Sequence, residues 1–232
     1  MPEIVAVHQP NYIPWLGYFY KIFQSETFIF LDDVQFNKEG LQNYHYIKTP
    51  QGRFRLKIPV SANSGSLIKD VAVKDQLGWR KKHLKTIEMN YKKAPYFREV
   101  FHDYSKWLSL PLTNLAELDQ YIIQFICQKF SFKTSFIPSS DFKLQSSGEE
   151  KILDICRQVN AKVYYSGTGA KAYQSEESFQ QKGIDLKYSI FRPFEYPQLW
   201  EGFEPNVSVI DYLMNCGYDW DRVLASQNSG QK

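Results

Sequence analysis

Three cysteines in 232 residues, Cys127, Cys156 and Cys216, are too few and too far apart for a disulfide framework. No CxxC and no Cys/His pair at metal-ligand spacing accompanies them, so they read as buried thiols and no metal site is expected. Histidine is also scarce, at four residues, which leaves few side chains that titrate near neutrality. No apolar run approaches the roughly 18 residues that cross a bilayer. The opening Met1-Pro-Glu-Ile-Val5 lacks the basic start and long apolar stretch of a secretory signal. A cytoplasmic protein without membrane insertion is expected. Neither sign of charge dominates: 28 Lys+Arg against 25 Asp+Glu leaves +3, with one small cluster at Arg80-Lys-Lys-His83 and Lys85. That is too weak to predict nucleic acid as the principal partner.

Aromatics are plentiful, with 17 Phe and 16 Tyr, and 43% of the chain is hydrophobic, enough for a sizeable aromatic-rich core. The chain is organised around its first 36 residues. Ile4 to Val7 is a β-branched run without charge, as in a strand buried on both faces. His8, Gln9 and Asn11 then alternate with prolines at 10 and 14, which forbid a regular ladder and fix a polar loop. Beyond Pro14, Leu16, Phe19, Tyr20, Ile22 and Phe23 recur at helical spacing, and Phe28 to Leu31 forms a second buried strand ending in Asp32 and Asp33. Polar side chains therefore stand at the carboxyl ends of two strands, where an open α/β sheet binds ligands. The alternative is an ordinary β-α-β unit whose His, Gln and Asn satisfy loop backbone groups.

Tyr44 to Lys48 and Arg53 to Pro59 alternate about a Thr-Pro-Gln-Gly52 turn and predict a β-hairpin. Ser61 to Ser66 is loop-like and Ile68 to Val73 a short strand. Helices are predicted over Trp79–Tyr91, Pro95–Trp107 and Leu115–Phe130, the prolines at 95 and 111 starting the second and third. Alternation then returns: a strand at Ser135–Pro138, a helix over Ser147–Asn160 with a serine cap, strands at Val163–Tyr165 and Leu186–Ile190, and a terminal helix at Ser208–Asn215. The predicted fold is α/β, a Rossmann-like, mostly parallel sheet with a β-hairpin insertion and a helical layer in the middle third. A single domain is expected, with 1–75 and 131–215 as the α/β core, 76–130 as the helical layer over one sheet face, and 216–232 as a tail fraying from Ser226.

Ser166-Gly-Thr-Gly169 follows a predicted strand and precedes a short helix through Tyr173, so its backbone N–H groups can approach an anion. It is neither GxGxxG nor a P-loop, and a plain tight turn is the alternative. His8 is the histidine placed for acid–base work, with His45 next. His83 and His102, on charged helices, read as surface or packing residues. Successive side chains on a strand point to opposite faces, so at most one of Asp32 and Asp33 is expected to meet His8, with capping of the next turn a role for the other. Adenylyl-transferring enzymes with a similar opening carry a His-x-Gly-His motif, whereas Trp15-Leu-Gly-Tyr18 has the glycine and neither histidine.

The runs His8-Gln-Pro-Asn-Tyr-Ile-Pro-Trp-Leu-Gly-Tyr18, Leu31-Asp-Asp-Val-Gln-Phe36 with Lys38, Asn43 and Ile47-Lys48, Tyr165-Ser-Gly-Thr-Gly-Ala170 with Tyr173, and Asn206-Val-Ser-Val-Ile-Asp211 resemble the WbqC-like family. One departure is Tyr44, where that pattern often has arginine after the asparagine. The resemblance implies a bacterial protein of surface-polysaccharide (O-antigen) gene clusters, a transferase of an acyl or aminoacyl group, commonly glycyl, onto an amino sugar. It supplies no catalytic set. The expected acid–base residues are thus His8, Asp32 and Asp33; Gln9, Asn11, Tyr12, Trp15, Gln35, Lys38, Asn43, Ser166, Gly167, Gly169 and Tyr173 are expected to bind substrate. The partners would be a sugar nucleotide or amino sugar and an activated acyl donor, with aminoacyl-tRNA open as donor and no cofactor identified. An ATP-dependent ligase of nucleotidyl type, and a binding protein stacking Trp15, Tyr18 and Trp200 on a ligand, are the alternatives.

Overall fold

The structure, a computed structural model, describes residues 4–228. The charge-free run becomes strand β1 (Ile4–His8), followed by helix α1 (Leu16–Phe23) and strand β2 (Thr27–Phe30). The alternating runs pair antiparallel as β3 (Tyr44–Thr49) and β4 (Gly52–Lys57), with Tyr44 opposite Lys57 and Tyr46 opposite Arg55. Gly52 closes this hairpin at φ 93°, a region that strains any residue with a Cβ. Two short strands, β5 (Val60–Ser61) and β6 (Ala72–Val73), precede the helices α2 (Trp79–Tyr91), α3 (Phe97–Ser109) and α4 (Leu115–Lys129). The last third runs β7 (Ser135–Pro138), α5 (Gly148–Gln158), β8 (Val163–Gly167), α6 (Glu176–Gln181), β9 (Asp185–Ser189), α7 (Val209–Cys216) and α8 (Trp220–Asn228).

The fold is α/β and Rossmann-like. Five parallel strands form one sheet in the order β7-β2-β1-β8-β9. The chain builds outward from β1 through β2 to β7, then returns to the other side of β1 with β8 and β9. This reversal creates a topological switch point between β1 and β8, the position where open α/β sheets hold ligands outside their carboxyl ends. The small antiparallel hairpin of β3 and β4 lies outside this sheet.

The backbone divides into two compact units. The first, Met1–Pro10, Gly17–Val34 and Phe132–Phe191, holds the parallel sheet. Its core joins Val5, Val7, Ile29 and Tyr164 of the strands to Ile152, Leu153, Ile155 and Cys156 of α5 and Phe179 of α6. Strands covered by helices explain the near-continuous apolar runs of β1 and β2. The second unit, Asn11–Leu16, Gln35–Ser131 and Arg192–Lys232, holds the hairpin and helices α2, α3, α4, α7 and α8. Tyr91, Tyr104, Trp107, Ile122, Ile126, Tyr212 and Leu213 are buried in it.

Several local expectations change. Ile68–Asp70 closes as a 3₁₀ turn through Asp70 N–H to the Leu67 carbonyl at 3.0 Å, and only Ala72–Val73 is extended. Helix α4 begins at Leu115 as its spacing predicts, but its cap is Asn114, whose Oδ1 accepts from Glu117 N–H at 3.1 Å, and Pro111 lies outside it. Neither serine caps α5: Ser147 makes no cap hydrogen bond, and Ser146 Oγ donates to Asp154 at 2.6 Å. Helix α6 was not anticipated. The expected tail at 216–232 contains α8, held by buried Trp220 and Val223; residues 229–232 of that tail lie outside the described residues. Among the described residues no helix is long and apolar enough to cross a membrane.

Candidate functional site

In the first unit the carboxyl ends of the neighbouring strands β2, β1 and β8 carry Asp32 and Asp33, His8 and Gln9, and Ser166 and Gly167 respectively. His8 is half-buried, its ring edge-on to Tyr18 at 4.8 Å between centroids. Its Nδ1–H donates to the Gln9 carbonyl at 3.0 Å, and Tyr18 Oη donates to the same oxygen at 3.0 Å. A carbonyl can only accept, so Nδ1 carries the proton and Nε2 keeps its lone pair. Burial, reinforced by the nearby Lys21 charge, lowers the His8 pKa to about 3. The imidazole is therefore neutral at physiological pH.

Lys21 on α1 is buried, and its Nζ donates to the Val7 carbonyl at 2.8 Å. It makes no ion pair among the described residues, and burial lowers its pKa to about 7. A Cβ built on Gly167 would stand 4.0 Å from that Nζ, with no other heavy atom as near. An amine without a counter-ion thus sits beside the switch point. Sequence reasoning passed over Lys21; the available signal was a helix, Leu-Gly-Tyr-Phe-Tyr-Lys-Ile-Phe, apolar on nearly every side, which leaves a lysine no polar face.

The two aspartates bind other strand-end groups. Asp32 is buried and accepts from Ser140 N–H at 3.0 Å and Ser140 Oγ at 2.9 Å. Ser139 Oγ lies between the carboxylates, 3.2 Å from Asp32 Oδ1 and hydrogen-bonded to Asp33. Lys151 of α5 pairs with Asp33 at 2.7 Å. These contacts join β2 to the turn after β7 and to α5. No hydrogen bond among the described residues links either aspartate to His8. On the other side, Ser166 is buried with Oγ 3.4 Å from the Gly167 carbonyl; Gly169 is exposed, and Tyr173 is 82% exposed at the end of a 3₁₀ turn.

The remaining expected site residues belong to the second unit. Asn11 and Tyr12 are buried there, Trp15 is half-buried, and Gln35 and Lys38 are exposed. Tyr12 Oη lies 3.0 Å from His83 Nδ1 and 2.9 Å from Tyr104 Oη. His83 Nε2–H donates to the Lys57 carbonyl at 3.1 Å, so Nδ1 accepts from Tyr12, which accepts in turn from Tyr104. His83 is therefore an interior residue, as packing against Trp79 also shows, and burial lowers its pKa to about 4. Asp119 is fully buried with neither oxygen hydrogen-bonded among the described residues, and burial pushes its carboxyl well above the ordinary range. Asn43 donates to the Ile58 carbonyl at 2.8 Å, and buried Lys48 donates to the carbonyls of Trp200, at 3.2 Å, and Gly202.

A parallel sheet of this strand order places the protein among α/β proteins of Rossmann-like architecture. More particularly, the chain belongs to the WbqC-like protein family, which it matches over residues 9–222. It is 34% identical over 222 residues to the uncharacterized protein Rv1507c of Mycobacterium tuberculosis, covering 92% of this chain and 94% of that one. No solved structure matches it.

Proposed function

We propose that this WbqC-like protein is a transferase of polysaccharide biosynthesis that moves an acyl or aminoacyl group, glycyl included, onto the amine of an amino sugar or sugar nucleotide. The observation that carries the reading is His8: a neutral imidazole whose Nε2 has no hydrogen-bond partner among the described residues, at the carboxyl end of the central strand. The acceptor amine attacks the acyl carbonyl carbon, the bond to the leaving group breaks with its electron pair, and the nitrogen's proton passes to Nε2. The lowered pKa makes His8 a weak base, and the transfer is assisted because the ammonium of the tetrahedral adduct is more acidic than that of the free amine. In this reading Asp32 and Asp33 tie β2 to the turn after β7 and to α5 through Ser139, Ser140 and Lys151, and Gln9, Ser166 and Gly167 flank the reacting groups.

The test is mass spectrometry of a UDP-linked amino sugar incubated with the protein and, in separate reactions, acyl-CoA, aminoacyl-tRNA, or free acid with ATP and magnesium. His8→Gln, which keeps size and polarity, is expected to lower the rate at least 100-fold, about the contribution of a general base. Equal rates remove His8 from the chemistry. Product only with ATP and magnesium makes the protein a ligase, and saturable binding with no product from any donor makes it a binding protein.

A further inference from the structure

Lys21 of α1, whose Nζ reaches the central strand at the Val7 carbonyl, has no part in the reaction above. Its Nζ is fixed by the Val7 carbonyl on the central strand, and β8 across the switch point presents Gly167 to it without a side chain between. Every other buried lysine of the described residues has its charge answered: Lys151 by Asp33, and Lys48 by two carbonyls. Lys21 has a single carbonyl and no carboxylate. A buried ammonium of this kind is tolerated when an anion from outside completes it.

We propose that Lys21 is the anion-holding residue of the switch-point site, receiving the diphosphate of a nucleotide-linked ligand in the gap beside Gly167. The assignment rests on the transferase reading for its location and narrows the acceptor to a sugar nucleotide. Diphosphate fits better than a single carboxylate because the gap lies at a sheet reversal, where a ligand extends across two strand ends. Burial adds a signature: with its pKa drawn to about 7, Lys21 is largely an uncharged amine in mildly alkaline solution, and an arriving anion fixes a proton on it. His8, the titratable group that feels the Lys21 charge, remains neutral in that range.

Calorimetric titration of the full chain with inorganic pyrophosphate and with UDP, at pH 8 in two buffers of different ionisation enthalpy, tests this. Expected is saturable binding to wild type with uptake of about one proton. Lys21→Gln should weaken both ligands at least tenfold and abolish the uptake. Gly167→Ala keeps Lys21, and its φ of −79° suits any residue; it should fold as wild type and weaken both ligands several-fold by filling the gap. Unchanged affinity in both variants, or no binding of either ligand to wild type at millimolar concentration, overturns the assignment. Lys21-dependent diphosphate binding alongside full His8→Gln turnover would retire the His8 chemistry and leave Lys21 standing. His8-dependent acylation of a free amino sugar with no response to Lys21→Gln would do the reverse.

Discussion

Tyr91 Oη donates a 2.8 Å hydrogen bond to Asp211 Oδ2, joining α2 to α7 across 120 residues of sequence. The other carboxylate oxygen accepts from Tyr196 Oη at 3.0 Å and Gln198 Nε2 at 2.8 Å. Tyr91 Oη also accepts from the Lys48 backbone N–H at 3.1 Å, so the hairpin is tied into the same network. Tyr91→Phe strips one donor from a buried carboxylate and is expected to cost about 2 kcal/mol. Denaturant unfolding measures this, and an unmoved midpoint would contradict it.

Burial pushes the Asp211 carboxyl up to about 6, the hydrogen bonds from Tyr91, Tyr196 and Gln198 only partly opposing it. Its unfolded value is about 3.9, so the native state binds this proton more tightly. The contribution to stability is fully present below pH 4 or so and is lost as pH rises through about 6. Two pKa units correspond to at most about 3 kcal/mol. His8, His45 and His83, held low by burial, act in the opposite direction, which makes Asp211→Asn the proper comparison. Wild type should gain stability over Asp211→Asn on going from pH 7 to pH 5; a pH-independent difference would be the contrary result.

The His8 tautomer is open to nitrogen-15 NMR. The Gln9 contact predicts a protonated Nδ1 and a bare Nε2, and the lowered pKa of about 3 predicts no titration between pH 8 and pH 5. An imidazole ionising near its ordinary midpoint would contradict the burial-lowered pKa.

Removing the Asp33 carboxylate by Asp33→Asn leaves the Lys151 ammonium buried and unpaired, at an expected cost of about 3 kcal/mol. Adding Lys151→Met to that background should recover part of the loss, as read from unfolding midpoints in a double-mutant cycle. Additive losses would mean that the pair does not act as a unit.

The centre of the sheet was legible because β1 and β2 are short apolar runs without charge, each followed by polar residues. Pro14 and the spacing of Leu16, Phe19 and Phe23 placed α1, and the alternating runs about Gly52 revealed the hairpin. Helix α8 was missed although Trp220, Val223 and Leu224 stand at helical spacing, because the apolar set is short and borders the polar end of the chain. Ile68–Asp70 has the composition of a strand, and composition does not distinguish one 3₁₀ turn from three extended residues. At the strand ends, the residue types of the candidate site were visible and their partners were not. Asp32 meets Ser139 across 107 positions, and Lys21 faces Gly167 only because β1 and β8 become neighbours. Long-range pairing of this kind leaves no local trace in composition or periodicity.

The central claim, that the chain acylates an amino sugar nucleotide through His8, is tested most directly by mass spectrometry of sugar nucleotides from cells carrying wild type, His8→Gln or no copy. An amino sugar nucleotide heavier by one acyl group in wild-type cells alone is the predicted result. The same species at the same level in all three would contradict it.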